Sequence, residues 1–256
     1  MFLVHGSGLN VLMFKVISEH FDETQPLYGI QAIGLTKPVE IPTTVEGIAA
    51  YHIQEILRVS PEGPYAVAGY SYGGFIAYEI AKQLMEAGKQ VKFIGMIDTN
   101  AGGIDHPKTK AAALRKKILR QFHKVPFFAN SFIKYPRESL AYQQYVLKKK
   151  FSPKFLKELE TAEDSYTLYE KQIRENYDRI IDNYITTPLD VEVSLFRVEK
   201  RLYFVDDQKY LGWDKFAQKG VKIYKVPGDH KTFLEHPNGE KFADIIQNVL
   251  DSKDQA

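Results

Sequence analysis

Short apolar runs and amphipathic stretches alternate along most of this chain. Phe2-Leu3-Val4 has the make-up of a short buried strand, and Val11 to Phe21 carries apolar positions at helical spacing. Pro26 to Ile33 predicts a second strand, with Tyr28, Ile30 and Ala32 on one face. Thr44 to Val59 predicts a helix in which Val45, Ile48, Ala49, Ile53, Ile56 and Leu57 share a face. Tyr65 to Tyr70 then reads as a strand, Gly74 to Ala87 as a helix and Val91 to Ile97 as a strand. Two further strands are expected at Val191 to Val198 and Val221 to Val226, with a closing helix at Phe242 to Leu250. Strands and helices that trade places across short Gly- or Pro-marked loops predict an α/β protein with a doubly wound, mostly parallel sheet.

The rhythm breaks from about 103 to 188. No convincing strand occurs there, and four helices are expected: Thr109 to His123, Arg137 to Lys150, Pro153 to Glu160 and Ala162 to Tyr184. An insertion just past a strand's C-terminal end lies on the side where α/β sheets bind ligands, so it reads as a helical lid within a single domain spanning 1–256. The competing reading is a helical decoration remote from the site.

Composition narrows the function classes. At 256 residues the chain can bury a large α/β core, and a net charge of +2 gives no global pull toward nucleic acid. Cys is absent, which removes disulfides and thiolate metal sites and fits a reducing, cytoplasmic setting. No apolar run has membrane-spanning length, so no membrane role is expected. A core strand opening at residue 2, without the pattern of a secretory signal before it, suggests a segment excised from a longer polypeptide.

The chemistry centres on Gly69-Tyr70-Ser71-Tyr72-Gly73-Gly74, between the apolar run Tyr65 to Ala68 and the amphipathic run from Phe75. That is G-x-S-x-G in strand–turn–helix context, where a sharp turn lifts a serine hydroxyl above the sheet edge and a helix N-terminus lies beneath it. The alternative is a Gly-rich turn with an inert serine. A serine hydroxyl needs a base, and the base needs an orienting acid, in the chain order Ser, acid, His. His5, His20 and His52 precede Ser71, and His106 and His123 fall at or inside the insertion. His236 precedes Pro237 at the expected start of the last helix, which leaves His230, just past the strand Val221 to Val226 and the expected turn Pro227-Gly228-Asp229, as the base. Two positions compete for the acid. Asp98 closes the apolar run Phe93 to Ile97, where a carboxylate needs a partner; Asp206 and Asp207 follow the later strand and read equally as a solvated turn. The oxyanion hole is expected from the amide of Tyr72 and a second amide, of Ser7 or Gly6, in the turn His5-Gly6-Ser7-Gly8.

With these motifs in order, the chain resembles the type I thioesterase domains that release products from nonribosomal peptide and polyketide synthetases, which have the α/β-hydrolase fold. The opening Phe2 to Gly8 is similar to that family's strand and His-Pro-x-Gly turn. Pro61-Glu62-Gly63-Pro64-Tyr65 resembles its approach to the elbow, and Met96-Ile97-Asp98-Thr99 its acid-bearing strand end. Leu195-Phe196-Arg197, Leu211-Gly212-Trp213 and Val226-Pro227-Gly228-Asp229-His230, followed by Phe233-Leu234 and Pro237, complete the pattern. The resemblance favours Asp98 as the acid and gives Asp206 and Asp207 a structural place. It implies an acyl or peptidyl thioester carried on the phosphopantetheine of a carrier protein, an acyl-Ser71 intermediate, and release by water or an internal nucleophile, without bound metal or redox cofactor. Gly6 departs from the family's proline; a less hindered turn would favour hydrolysis over cyclisation. A stand-alone editing thioesterase, a general carboxylesterase and a catalytically dead binding module share parts of the pattern.

The insertion adds a basic stretch, Lys108, Lys110, Arg115, Lys116, Lys117, Arg120 and Lys124, without an acidic residue among them. It reads either as a solvated helix face or as a docking site for an acidic carrier. Aromatics of the insertion (Phe122, Phe127, Phe128, Phe132, Tyr135, Tyr142, Tyr145) read as channel wall or as ordinary core.

Overall fold

A computed structural model describes residues 1–103, 109–152 and 167–254. Six strands form one sheet in the order β2-β1-β3-β4-β5-β6, and every neighbouring pair is parallel. They are β1 (Phe2–Val4), β2 (Tyr28–Ile30), β3 (Tyr65–Tyr70), β4 (Val91–Ile97), β5 (Val193–Lys200) and β6 (Val221–Asp229). The central β3 is buried along its whole length, as a parallel strand covered on both faces must be.

The helices divide between two apolar layers. On one face, α2 (Val45–Val59) and α3 (Gly73–Glu86) bury Ile48, Ile56, Ile76, Ile80 and Leu84. On the other, α1 (Lys15–His20) and the C-terminal helix α7 (Asn238–Asp254) bury Ile17, Phe242, Ile246 and Leu250. This is the doubly wound α/β arrangement that the alternating runs predict. The Thr44 side chain accepts from the Gly47 amide and starts α2.

Between β4 and β5 lie the described helices α4 (Lys110–Lys134), α5 (Pro136–Phe151) and α6 (Leu168–Asp182). The expected helix Pro153 to Glu160, and Ala162 to Tyr166 of the next, lie outside the described residues. α6 opens with a capping box, in which the Thr167 and Glu170 side chains each bond the other's amide. It packs as part of the core: Ile173, Tyr177 and Ile180 are buried with α2 and α3, and the Tyr177 hydroxyl accepts from the Ile33 amide at 2.8 Å. Tyr184, just past it, donates to buried Glu79 of α3 at 2.7 Å. α4 continues through Pro126 to Lys134, eleven residues beyond the expected His123.

Other expected elements change as well. The strand Pro26 to Ile33 contracts to Tyr28–Ile30, because its partner among the described residues is the three-residue β1. Val11 to Phe21 becomes a 3-10 turn, Leu12–Phe14, followed by α1. The turn expected at Pro227-Gly228-Asp229 is the end of β6, where Asp229 pairs with Lys200 after an irregularity between Val198 and Lys200.

Candidate active site

Ser71 stands between the last residue of β3 and the first turn of α3 with φ of 54°, the left-handed region that a side chain enters only under constraint. The constraint is a three-way backbone contact. A Cβ on Gly69 would lie 2.1 Å from the Gly73 carbonyl oxygen, and one on Gly73 would lie 2.0 Å from that of His5. Strand, helix and β1 loop touch here, so both positions require glycine. The Ser71 amide donates to the Ile97 carbonyl of β4 at 2.9 Å, which fixes the elbow to the neighbouring strand.

Tyr70 pairs with Ile97, so Ser71 and Asp98 leave adjacent strands at the same level. The Asp98 side chain is fully buried. Its Oδ2 accepts from His230 Nδ1 at 2.6 Å, while Oδ1 accepts from the Arg201 guanidinium and, at 3.3 Å, from the Val198 amide. Burial pushes the Asp98 carboxyl up, but the His230 hydrogen bond and the Arg201 charge together outweigh it and hold the carboxyl below its ordinary range. With Nδ1–H committed to the carboxylate, Nε2 of His230 carries the lone pair that a general base needs. The imidazole is walled by two aromatic rings. Tyr70 lies against it at 5.1 Å between centroids and donates its hydroxyl to the His230 carbonyl at 2.5 Å; Tyr203 meets it edge-on at 5.9 Å.

The rival carboxylates are engaged elsewhere. Asp207 accepts from the amides of Lys209, Tyr210 and Gly212 at 2.8, 3.1 and 2.9 Å, and Asp206 pairs with Arg120 at 3.0 Å. Asp207 thereby shapes Leu211-Gly212-Trp213, whose Leu211 carbonyl accepts from Ala101 and whose Trp213 indole donates to the Thr99 carbonyl at 2.8 Å. This loop braces the segment that follows Asp98. His236 is bonded to Glu240 at 2.6 Å, and His106 lies outside the described residues.

At the turn after β1, His5 is fully buried and its Nδ1–H donates to the Gly6 carbonyl at 2.8 Å. Burial pushes its imidazole down to about 4, so it is neutral. Gly6 is buried too: a Cβ there would lie 2.5 Å from Cδ1 of the Tyr70 ring. The glycine in place of the family's proline therefore makes room for Tyr70 and does not open the turn. Among the described residues, the amides of Ser7 and Tyr72 donate to no acceptor. Two contributors escape sequence reasoning. Arg201 sits in the charged run Glu199-Lys200-Arg201 and carries no motif, and Tyr203 none either. Tyr70 had one available signal, the missing proline at position 6.

The parallel sheet, the strained elbow and the Asp98–His230 pair together define an α/β-hydrolase-type domain. The model of the thioesterase domain family matches residues 1–250, and the chain belongs to that family. A protein described as an inactive atromentin synthetase (invA3) of Paxillus involutus is 42% identical over 97 residues, 38% of this chain and 10% of that protein. The atromentin synthetase invA5 of the same fungus is 38% identical over 97 residues, again 38% of this chain and 10% of the relative. Malpinin synthetase of Mortierella alpina is 39% identical over 102 residues, 40% of this chain and 1% of that protein. The chain thus spans a tenth or less of the length of these curated relatives. Among solved structures, a four-domain nonribosomal peptide synthetase bound to AMP and glycine aligns with 97% of this chain and 19% of its own, at TM-score 0.68 and 24% identity. ClbQ of the colibactin pathway aligns with 99% of this chain and 97% of its own, at TM-score 0.63 and 18% identity.

Proposed function

We propose that the domain is a serine thioesterase that releases an acyl or peptidyl chain from a phosphopantetheinyl carrier protein. The observation that carries this reading is the Asp98–His230 bond formed beside an elbow that holds Ser71 at positive φ. His230 takes the Ser71 proton as Oγ attacks the thioester carbonyl. The amides of Tyr72 and of Ser7 or Gly6 stabilise the oxyanion. The carbon–sulfur bond breaks, the pantetheine thiol leaves with a proton from His230, and an acyl-Ser71 ester remains. Water, activated by the same imidazole, hydrolyses that ester; an amine or hydroxyl of the chain itself is the competing nucleophile. Asp98 keeps the imidazole in the Nδ1–H tautomer and stabilises the imidazolium.

The carrier is expected in the same polypeptide, since the matched relatives are synthetases many times longer than this chain. α4 offers a surface for it. Arg115 and Lys117 are exposed beside the exposed apolar Leu114, Ile118 and Phe122, a mixed face suited to an acidic partner with an apolar ridge. Arg120 is partly diverted to Asp206 and to the Phe204 ring, so the basic stretch has structural as well as surface duties.

The test is thiol release from a panel of acyl-pantetheine thioesters, with oxygen esters alongside and Ser71→Ala as control. Release that vanishes in Ser71→Ala supports a serine thioesterase. Cleavage of oxygen esters alone would leave a general esterase in its place.

A further inference from the structure

Arg201 follows β5 directly, and its side chain is 8% exposed where it meets the fully buried Asp98. It touches two of the groups that meet His230, Asp98 and Tyr203. One terminal nitrogen donates to Asp98 Oδ1, and the other donates to the Tyr203 hydroxyl at 2.9 Å. The guanidinium also lies over the Tyr203 ring at 5.1 Å, and that ring meets His230 edge-on. A carboxylate held only by His230 is free to rotate about its Cβ–Cγ bond. The Val198 amide, at 3.3 Å, is a weak restraint. A guanidinium presents its donors in a rigid plane and charge-assisted bonds are the strong ones, so Arg201 is the group able to fix that rotation.

We propose that Arg201 is a positioning residue for the catalytic set: it orients the Asp98 carboxylate so that Oδ2 faces His230, and it moderates the negative charge that His230 meets. The inference rests on the reading of Ser71, His230 and Asp98 given above. Asp229, next to His230, spends its carboxylate on the amides of Lys231 and Thr232. Arg197 near Arg201 is bound to the carbonyls of Gln208 and Lys209. On its outer side Arg201 lines a cavity of about 550 Å³ together with Lys134, Glu199, Lys209 and Lys225, none of which bonds Asp98 among the described residues. Tyr70 and Tyr203 complete the wall around the imidazole. Arg201 is therefore the one cation paired with the buried acid among the described residues, apart from His230 when protonated.

The test compares Arg201→Met with Arg201→Lys in thiol release as a function of pH. Without the guanidinium, Asp98 stabilises the imidazolium more strongly, so the acid limb of the Arg201→Met profile moves up by about one pH unit. Its kcat falls roughly 10- to 100-fold with KM within about twofold, since geometry is lost in the transition state and not in binding. Arg201→Lys restores the limb position but only part of kcat. If Arg201→Met fails to fold, Arg201→Gln, which keeps a hydrogen bond without the charge, gives the same limb shift. NMR titration of the His230 imidazole in a Ser71→Ala background reads the effect without turnover. A midpoint that rises on loss of Arg201 while the parent releases no thiol sinks the thioesterase reading and keeps the positioning role. A limb and a midpoint that stay put in both variants, with only thermal stability reduced, overturn the proposal.

Discussion

Gly6 and Tyr70 occupy each other's space: the ring of Tyr70, one residue before Ser71, stands where a side chain at position 6 would go. The same ring lies against His230 and its hydroxyl holds the His230 main chain. One aromatic side chain thus connects the β1 turn, the elbow and His230. Gly6→Ala forces a Cβ toward that ring and is expected to cost about 1–3 kcal/mol. Adding Tyr70→Leu to Gly6→Ala should recover part of the loss, so the pair is non-additive in denaturant unfolding. Strict additivity would show that the two residues do not compete for space.

Asp98→Asn keeps the shape of the acid but offers no carboxylate to Nδ1–H. The expected result is a kcat lower by about 10⁴-fold with KM little changed. Asp207→Asn is expected to act differently, through the bonds that Asp207 makes to the loop before Trp213, and so to lower thermal stability more than turnover per folded molecule. Parallel kinetics and melting curves separate the two.

Two buried imidazoles make the fold sensitive to acid. Burial pushes His5 down to about 4, and burial with the nearby His5 pushes His52 down to about 3. The unfolded chain takes up these protons first, near its ordinary value of about 6.5, so stability falls as pH drops from about 6.5 toward the folded values. For His5 alone the loss is roughly 3 kcal/mol. Asp98 acts in a lower window: its carboxyl lies below the ordinary range, so its contribution is complete above about 4 and fades only as pH falls through the folded value. Melting temperature should therefore decline between pH 7 and 5, and His52→Met should flatten the decline. Equal slopes for the two proteins would contradict this.

Arg115→Glu with Lys117→Glu reverses the exposed charge of α4 and leaves Arg120 to its contact with Asp206. Turnover of a carrier-bound thioester is expected to fall several-fold, more at low ionic strength, with small pantetheine thioesters unaffected. Equal turnover on carrier-bound and small substrates would dismiss α4 as the docking surface.

Much of this architecture is legible in the sequence because a few local rules dominate it. Central strands such as β3 and β4 are continuous apolar runs, and β4 occupies the expected residues, Val91–Ile97. The elbow announces itself through Gly69 and Gly73, whose absent side chains are a steric necessity. Edge and end effects are less visible. The length of β2 is set by its short partner, and the end of β6 by a pairing with Lys200, neither of which is encoded in the segment itself. Nor does residue type alone settle which carboxylate meets His230: Asp98 closes an apolar run, Asp207 follows Asp206 in a polar turn, and their tertiary partners decide between them. Arg201 is the extreme case, a buried cation inside what reads as a solvated charge run.

The most direct test of a covalent serine mechanism is the intact mass of the protein quenched within the first turnovers on an acyl-pantetheine thioester. A covalent serine mechanism gives a population heavier by the acyl group, located on the peptide containing Ser71, absent from Ser71→Ala and accumulated in Asp98→Asn if deacylation is slowed more than acylation. Thiol release that depends on His230 but leaves Ser71 unmodified, and that persists in Ser71→Ala, would contradict it.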